Sequence, residues 1–322
     1  MPDHFQHFLD AHPKYKALYT ALMGDMSPDR AGRLLATAAR SVYRIQGEAL
    51  GPVADDILDF ADRSYPPGYA ERYIARVARL AALQRKFDQH PSSKNLGDPD
   101  AHVDPDDYSL SLLLSIILTN HRFEIMTRLS EFLSVLAQRS REGRLVSIGA
   151  GTGYELLLAA RMLPGWEMEA YEIDDNTRKR AETLWSFFRV SAVTDVGKIF
   201  PLESSDTAFV QRYDGIIMCE LCEHLRDPLT ALTRIREYLK EDGRAFVTMA
   251  INIAQEDHIF LYQNIEACRT QLKQSGLDTV LEWLAPQLIP IAPANREKDF
   301  KRGNYMAVVR RSRTSPASAI SP

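Results

Sequence analysis

The N-terminal part of the chain places apolar side chains at helical spacing. From Tyr69 to Phe87 they recur every three or four residues, and the spacing returns from Tyr108 to Arg139. This period is that of one face of an α-helix. Between these segments, Pro91 to Asp107 is rich in Pro, Asp, Ser and Asn, which predicts a loop. No Val- or Ile-rich alternating pattern interrupts this part, so residues 1–140 predict an all-helical domain.

The pattern changes at Arg144, where short apolar runs begin to alternate with amphipathic segments. The predicted strands are Leu145–Ile148, Met168–Ile173, Tyr213–Cys219, Arg244–Ala250, Thr279–Leu284 and Tyr305–Arg310. The predicted helices are Glu155–Met162, Asp175–Phe188, Pro228–Leu239 and Glu266–Gln274. This alternation predicts an α/β domain over residues 141–311, built on a doubly wound, mostly parallel sheet. Residues 312–322, rich in Ser and Pro, predict a disordered tail.

Composition narrows the class of protein. Of 322 residues, 45% are hydrophobic and 25% charged, with a net charge of −4 and three cysteines. This balance is typical of a globular protein in a reducing compartment, and it argues against a nucleic-acid partner. The apolar run Leu110–Leu118 is too short to span a bilayer, and the N-terminus lacks a signal-peptide pattern. We therefore expect a cytoplasmic protein without a membrane partner; a homodimer stays open.

A glycine pattern follows the first predicted strand directly. Gly149, Gly151 and Gly153 form G-x-G-x-G at the turn into a helix. Glycine lets the backbone turn sharply and touch a ligand, although a turn needed only for packing would look the same. The next strand ends in Glu172, roughly 20 residues further on, where a carboxylate can accept both hydroxyls of a ribose. The spacing differs from G-x-G-x-x-G, which argues against a dinucleotide.

Four segments together carry a family resemblance. S-I-G-A-G-T-G, Y-E-I-D, Y-D-G-I-I-M-C-E-L-C-E-H-L-R-D-P and L-K-E-D-G-R-A-F-V-T resemble the class I S-adenosylmethionine-dependent methyltransferases over Arg144–Arg310. The resemblance implies a Rossmann-like fold and S-adenosylmethionine as cofactor. It implies that Glu172 holds the ribose hydroxyls, Ile173 packs on adenine and Asp195 meets the adenine amine. The other residues implied at the cofactor are Gly149, Ala150, Gly151, Gly153, Cys219 and Glu220.

Ser147 departs from the family, which usually has an acid at this position. The predicted helix before the sheet contains Asn120, His121 and Arg122. We expect Asn120 and Arg122 to supply the missing contact, because a guanidinium can pair with the cofactor carboxylate through a fork of donors. The alternative is that His121 and Arg122 face water or cap a neighbouring helix.

Three polar residues are candidates for catalysis. His224 lies in the E-H-L segment, and Asp257 and His258 lie in the loop after the last core strand. Histidine titrates near neutrality and can act as a general base. The alternatives are a structural histidine and a solvated Asp-His pair. Cys219 and Cys222 form a single pair, whereas zinc needs four ligands, so we expect no metal.

The resemblance leaves several activities open. Methyl transfer to a small-molecule metabolite is the first hypothesis, with the helical domain as a lid that selects the acceptor. The alternatives are cyclisation of the cofactor to a four-membered amino acid with release of methylthioadenosine, as in azetidine-2-carboxylate synthases, and aminocarboxypropyl transfer. A protein that only binds the cofactor as a partner subunit is a fourth interpretation.

Overall fold

A computed structural model describes residues 4–23, 31–89, 104–191, 193–197, 202, 207–287 and 302–313. The first part of the chain is helical, as its pattern predicts. Its helices are α1 (His4–Ala11), α2 (Pro13–Met23), α3 (Ala31–Gln46), α4 (Leu50–Ser64), α5 (Tyr69–Gln89), α6 (Pro105–Leu118) and α7 (Asn120–Arg139). The predicted tail lies outside the described residues from 314 onwards.

Helix α6 begins earlier than the composition of the loop predicts. The Asp104 carboxylate accepts the N–H groups of Asp106 at 2.9 Å and Asp107 at 3.1 Å, and Pro105 occupies the first helical position. This is a strong N-terminal cap, so the loop ends at Asp104. At the other end, Thr119 is extended (φ −133°, ψ 136°) and separates α6 from α7. The break places the first turn of α7 at the edge of the sheet that carries the site.

The second part of the chain alternates strands and helices. The strands are β1 (Arg144–Ile148), β2 (Glu167–Tyr171), β3 (Val193–Gly197), β4 (Tyr213–Met218), β5 (Leu239–Ile251), β6 (Leu277–Pro286) and β7 (Gly303–Arg311). The helices are α8 (Tyr154–Met162), α9 (Asp175–Phe187), α10 (Pro228–Tyr238) and α11 (Ile265–Gln274). Within the described residues these strands form one sheet in the order β3-β2-β1-β4-β5-β7-β6.

The sheet is parallel from β3 to β5, and β7 runs antiparallel to both β5 and β6. The predicted doubly wound, mostly parallel sheet is therefore confirmed. The chain moves outward from β1 to β2 and β3 on one side and from β4 to β5 on the other. Ligands of such sheets bind at this reversal, beyond the carboxyl ends of the strands.

The strands differ from the expectation in several places. Strand β3 was not predicted. Strand β2 ends at Tyr171, so Glu172 lies just beyond it. Strand β5 begins at Leu239, where a helix end and a turn were expected. Tyr213 pairs with Leu239 whereas Gly215 pairs with Arg244, so β5 carries an irregularity that periodicity does not show.

Apolar residues cover both faces of the sheet. On one face the N-terminal helices, α8 and α9 share a continuous core with the strands. The Phe132 ring of α7 stacks on Phe246 of β5 with centroids 5.9 Å apart. On the other face α10 and α11 bury Ile235 and Leu272 beside the strands. In the described part of the chain, no helix combines the length and apolar character needed to cross a bilayer.

Candidate active site

The glycine loop turns at the carboxyl end of β1. Gly149, Gly151 and Gly153 all have positive φ, at 68°, 54° and 78°. The N–H groups of Gly149 and Ala150 donate to the Tyr171 carbonyl at 2.8 and 3.0 Å, which ties the loop to the end of β2. L-residues rarely adopt such φ values, so the local backbone explains the glycine pattern.

The three glycines differ in what surrounds them. A Cβ on Gly149 would lie 3.0 Å from the Leu221 side chain, and one on Gly153 would lie 2.7 Å from the Trp185 ring. At Gly151 the nearest atom would be Leu112 Cδ1 of α6, at 3.6 Å. Packing therefore accounts for two of the glycines. Gly151 instead borders a more open space beneath α6, where a ligand could approach the protein backbone.

Glu172 lies across this loop. Its Oε2 accepts the Gly151 N–H at 2.9 Å, and its Oε1 accepts the Asp174 N–H at 3.1 Å. Burial raises the pKa of Glu172, against the opposing effect of these N–H groups. Ile173, the next residue, is 82% exposed. The Asp174 carboxylate instead caps α9 by accepting the Thr177 N–H at 2.7 Å.

A buried polar network lies at the ends of β4 and β5. The Glu220 backbone has φ of +52°, and its N–H donates to Thr248 Oγ1 at 2.8 Å. Its Oε1 accepts hydrogen bonds from the Thr248 hydroxyl and the Asn304 amide. Its Oε2 lies 3.4 Å from Nη1 of the buried Arg122. The Cys219 thiol is buried beside this network, and burial raises its pKa well above the usual value.

Arg122 lies in the first turn of α7, and its side chain reaches this network. Burial alone would lower the pKa of Arg122, but the carboxylates of Glu220 and Glu155 raise it. The Nε of Arg122 and the Oδ1 of Asn120 are buried, and neither has a hydrogen-bond partner among the described residues. Burial lowers the pKa of His121 to about 3, so its ring is neutral. A donor and an acceptor are therefore available to a ligand at this point.

Glu223, His224, Asp257 and His258 form a second polar group, named here the Glu-His cluster. Its two segments are joined by the Glu223 carbonyl, which accepts the N–H groups of Ile259 and Phe260 at 2.9 Å each. The rings of His224 and His258 meet edge to face with centroids 4.8 Å apart. Burial lowers the pKa of His258 to about 4, and burial raises that of Glu223 well above its usual value.

Helices α5 and α6 lie over the space between the glycine loop and this cluster. Burial raises the pKa of Tyr108, as do the nearby charges of Asp257 and Glu172, while Arg122 and Arg76 oppose them. Tyr108 is thus within electrostatic range of both groups. The buried Arg76 reaches Glu256 Oε2 at 3.3 Å, and its guanidinium lies 5.5 Å from the centre of the Tyr108 ring.

Comparison with known families identifies the class of this site. Residues 118–282, about half of the chain, match the model of a family described as a methyltransferase domain. The chain belongs to this methyltransferase family. It is a transferase, and S-adenosylmethionine is its cofactor. No curated protein sequence matches the chain.

Solved structures of other methyltransferases are similar in fold. The carbon methyltransferase CurJ has a TM-score of 0.50 and 15% identity, over 85% of this chain and 70% of that chain. Mitomycin 7-O-methyltransferase MmcR has a TM-score of 0.47 and 15% identity, over 85% and 76% of the two chains. The Burkholderia thailandensis 1,6-didemethyltoxoflavin-N1-methyltransferase has 0.45 and 15%, over 67% and 94%. At these identities the likeness concerns the fold.

The residues of this methyltransferase fit its cofactor. Gly151 leaves room for close approach, and Glu172 offers a carboxylate at the end of β2. The unpartnered Arg122 Nε and Asn120 Oδ1 offer a donor and an acceptor that suit a carboxylate and an ammonium. Asp195 lies in β3 opposite Glu169, and its side chain falls outside the described part of the chain.

The predicted site residues of the methyltransferase therefore lie in three groups. The glycine loop with Glu172 forms the first, Arg122 with Glu220 the second, and the Glu-His cluster the third. Sequence reasoning omitted Glu155, Glu223, Arg76 and Tyr108. Only Glu223 carried a signal, its position directly before His224. The importance of the others depends on contacts between distant segments.

Proposed function

We propose that this methyltransferase transfers a methyl group to a small-molecule acceptor held beneath α5 and α6. The observation that carries the proposal is the helical cover over the carboxyl edge of the sheet. Gln84 of α5 accepts the Ala254 N–H at 2.8 Å and donates to the Asn252 carbonyl at 3.1 Å. Together with the contact of Arg76 with Glu256, this fastens the cover to the loop after β5. A covered site favours a small acceptor over a polymer.

Cofactor binding is assigned to two groups of side chains. Glu172 would accept the ribose hydroxyls, with Ile173 and Asp195 on the adenine side. Arg122, Asn120 and the backbone near Glu220 would hold the methionine end. S-adenosylmethionine supplies an activated methyl carbon that a nucleophile can attack in line with the departing sulfur. The protein contributes alignment and the exclusion of water.

The acceptor side is assigned to the Glu-His cluster. His224 is partly exposed, whereas His258 is buried behind it. His224, Asp257 and His258 would form a polar wall that orients the acceptor and provides a route for its proton. Tyr108 and Arg76 of the cover would select the acceptor by shape and charge.

The wider organisation follows from the same assignment. Residues 1–140 would act as the lid and substrate domain, and residues 141–311 as the cofactor domain. The net charge of −4 supports an acceptor other than nucleic acid, and the three cysteines are compatible with a cytoplasmic enzyme. A homodimer is compatible with this organisation.

The test uses S-adenosylmethionine whose transferable methyl group carries deuterium. The full chain is incubated with this cofactor alone, then with the low-mass and high-mass fractions of a cell extract, and products are read by mass spectrometry. Label in the low-mass fraction together with S-adenosylhomocysteine is the expected result. Label only in protein or nucleic acid contradicts a small acceptor. Methylthioadenosine formed from the cofactor alone would instead assign the enzyme to cofactor cyclisation.

A further inference from the structure

Glu223 is a buried carboxyl group that pairs with no cation among the described residues. Its exposed fraction is 0%, and neither carboxylate oxygen has a hydrogen-bond partner among the described residues. The N–H groups of Glu223 and Ala250 lie near enough to lower its pKa without meeting hydrogen-bond geometry, and the carboxylates of Glu220 and Asp257 are close enough to repel its negative charge. Buried carboxylates in proteins are normally paired with a cation or a metal.

The two histidines of the cluster are oriented by backbone carbonyls. His258 Nδ1 lies 2.9 Å from the Ile253 carbonyl, and His224 Nδ1 lies 3.1 Å from the Asp257 carbonyl. A carbonyl oxygen can only accept, so Nδ1 carries the proton in both rings and Nε2 keeps its lone pair. Metal-binding histidines are typically held in this way, with the second nitrogen donating to a carbonyl or carboxylate.

The three side chains are close enough to share one ion. One ligand atom from each of Glu223, His224 and His258 lies within 4.8 Å of the others. In a filled tetrahedral zinc site the corresponding separation is about 3.4 Å, given metal–ligand bonds of about 2.1 Å. Ion binding would therefore require side-chain rotations that bring the three ligand atoms closer together. Asp257, whose Oδ2 lies 3.4 Å from His224 Nδ1, adds negative charge behind the ring.

We propose that Glu223, His224 and His258 bind one divalent transition-metal ion. Two imidazoles and one carboxylate suit zinc or ferrous iron, whereas magnesium prefers oxygen ligands. Glu223 supplies the charged ligand, and Asp257 positions His224. These residues differ from Cys219 and Cys222, for which we expected no metal because they form only a single pair.

Three protein ligands leave a coordination position for the acceptor. An acceptor hydroxyl bound there would lose its proton more easily, because the cation stabilises the resulting anion. The histidines would then act through the ion rather than as free bases. This last step rests on the proposed function, whereas metal binding itself does not.

The test measures Zn²⁺ binding by the full chain without cofactor. The protein is produced without a histidine tag, stripped with a chelator, and titrated in competition with a chromogenic chelator. One Zn²⁺ per chain is expected, with Mg²⁺ unable to compete. Glu223→Gln and His224→Gln should weaken binding at least tenfold. His7→Ala, on an exposed histidine, and Cys222→Ser should leave it unchanged.

Circular dichroism of each stripped variant checks that it is folded, and the partly exposed His224 provides a test even if Glu223→Gln fails to fold. Wild-type protein that binds no stoichiometric Zn²⁺ would overturn the proposal. Binding that survives both substitutions, or that is lost in Cys222→Ser alone, would also overturn it. Because no cofactor is present, this outcome is separate from failure of methyl transfer. An enzyme that binds Zn²⁺ but methylates no small molecule would contradict only the proposed function.

Discussion

Replacement of Glu172 by glutamine tests the cofactor site most directly. The Glu172 carboxylate accepts two backbone N–H groups, at 2.9 Å from Gly151 and 3.1 Å from Asp174. A bound ribose would present its hydroxyls to the same oxygens. Glutamine keeps the size of the side chain but replaces one acceptor with an NH2 group and removes the charge. The loss of one charge-assisted hydrogen bond costs about 1.5–3 kcal/mol, which corresponds to a roughly 10- to 150-fold increase in Kd.

The assay is calorimetric titration of the full chain with S-adenosylhomocysteine, which cannot react. Glu182→Gln is the matched control, because it makes the same chemical change at an exposed position of α9. Glu172→Gln also disturbs the loop in the free protein, so titrations are run well below the melting temperature of each variant. A Kd within about twofold of the wild type, in a folded Glu172→Gln variant, would refute the ribose assignment.

Further predictions concern pH, the glycine loop and the cover. Because burial raises the pKa of Glu172, S-adenosylhomocysteine binding measured by calorimetry should weaken as the pH falls through that raised pKa. The Glu172→Gln variant should lose this pH dependence. A variant with the same pH profile as the wild type would contradict the prediction. Gly153→Ala should lower the free energy of unfolding in urea by about 2–4 kcal/mol, because its Cβ would lie 2.7 Å from Trp185 at a φ of +78°. Gly151→Ala should lower the free energy of unfolding by only about 1–2 kcal/mol but weaken S-adenosylhomocysteine binding at least tenfold. If the two alanine variants change stability and affinity equally, the different roles assigned to Gly151 and Gly153 are wrong. Arg76→Gln should raise the KM for the acceptor while leaving the Kd for S-adenosylhomocysteine within about twofold; a loss of cofactor affinity instead would remove Arg76 from the acceptor side.

The fold was predictable because periodicity and turn chemistry agree over most of the chain. The change from helical spacing to alternating short runs at Arg144 marks the start of the sheet. Strand β3 was missed because Val193–Gly197 contains a polar and an acidic residue within five positions. The start of β5 was missed because Glu241-Asp242-Gly243 has turn composition. Pairing with the neighbouring strand β4 overrides that local preference.

The site was predictable only where one short segment carries the geometry. The positive φ values of the three glycines follow from the local turn, and Glu172 follows from the end of β2. The burial of Glu223, the pairing of Arg122 with Glu220 and the position of Tyr108 depend on contacts between distant segments. A sequence pattern gives residue types and their spacing, whereas the hydrogen bonds and ion pairs of a buried network depend on the tertiary structure.

Ser147 shows how the two parts of the chain depend on each other at the cofactor. It is buried in β1 between Ala170 and Ile217, and it has a hydroxyl where the family resemblance implies an acid. The charged groups near the expected methionine end are instead Arg122 and the carboxylates of Glu220 and Glu155, which raise its pKa. Arg122 belongs to α7, and α7 is anchored on the sheet through Phe132 and Phe246. Because α7 also packs against α6 of the cover, a movement of α7 would change the cofactor site and the cover over the acceptor together, so cofactor binding and acceptor selection are expected to be coupled in this enzyme.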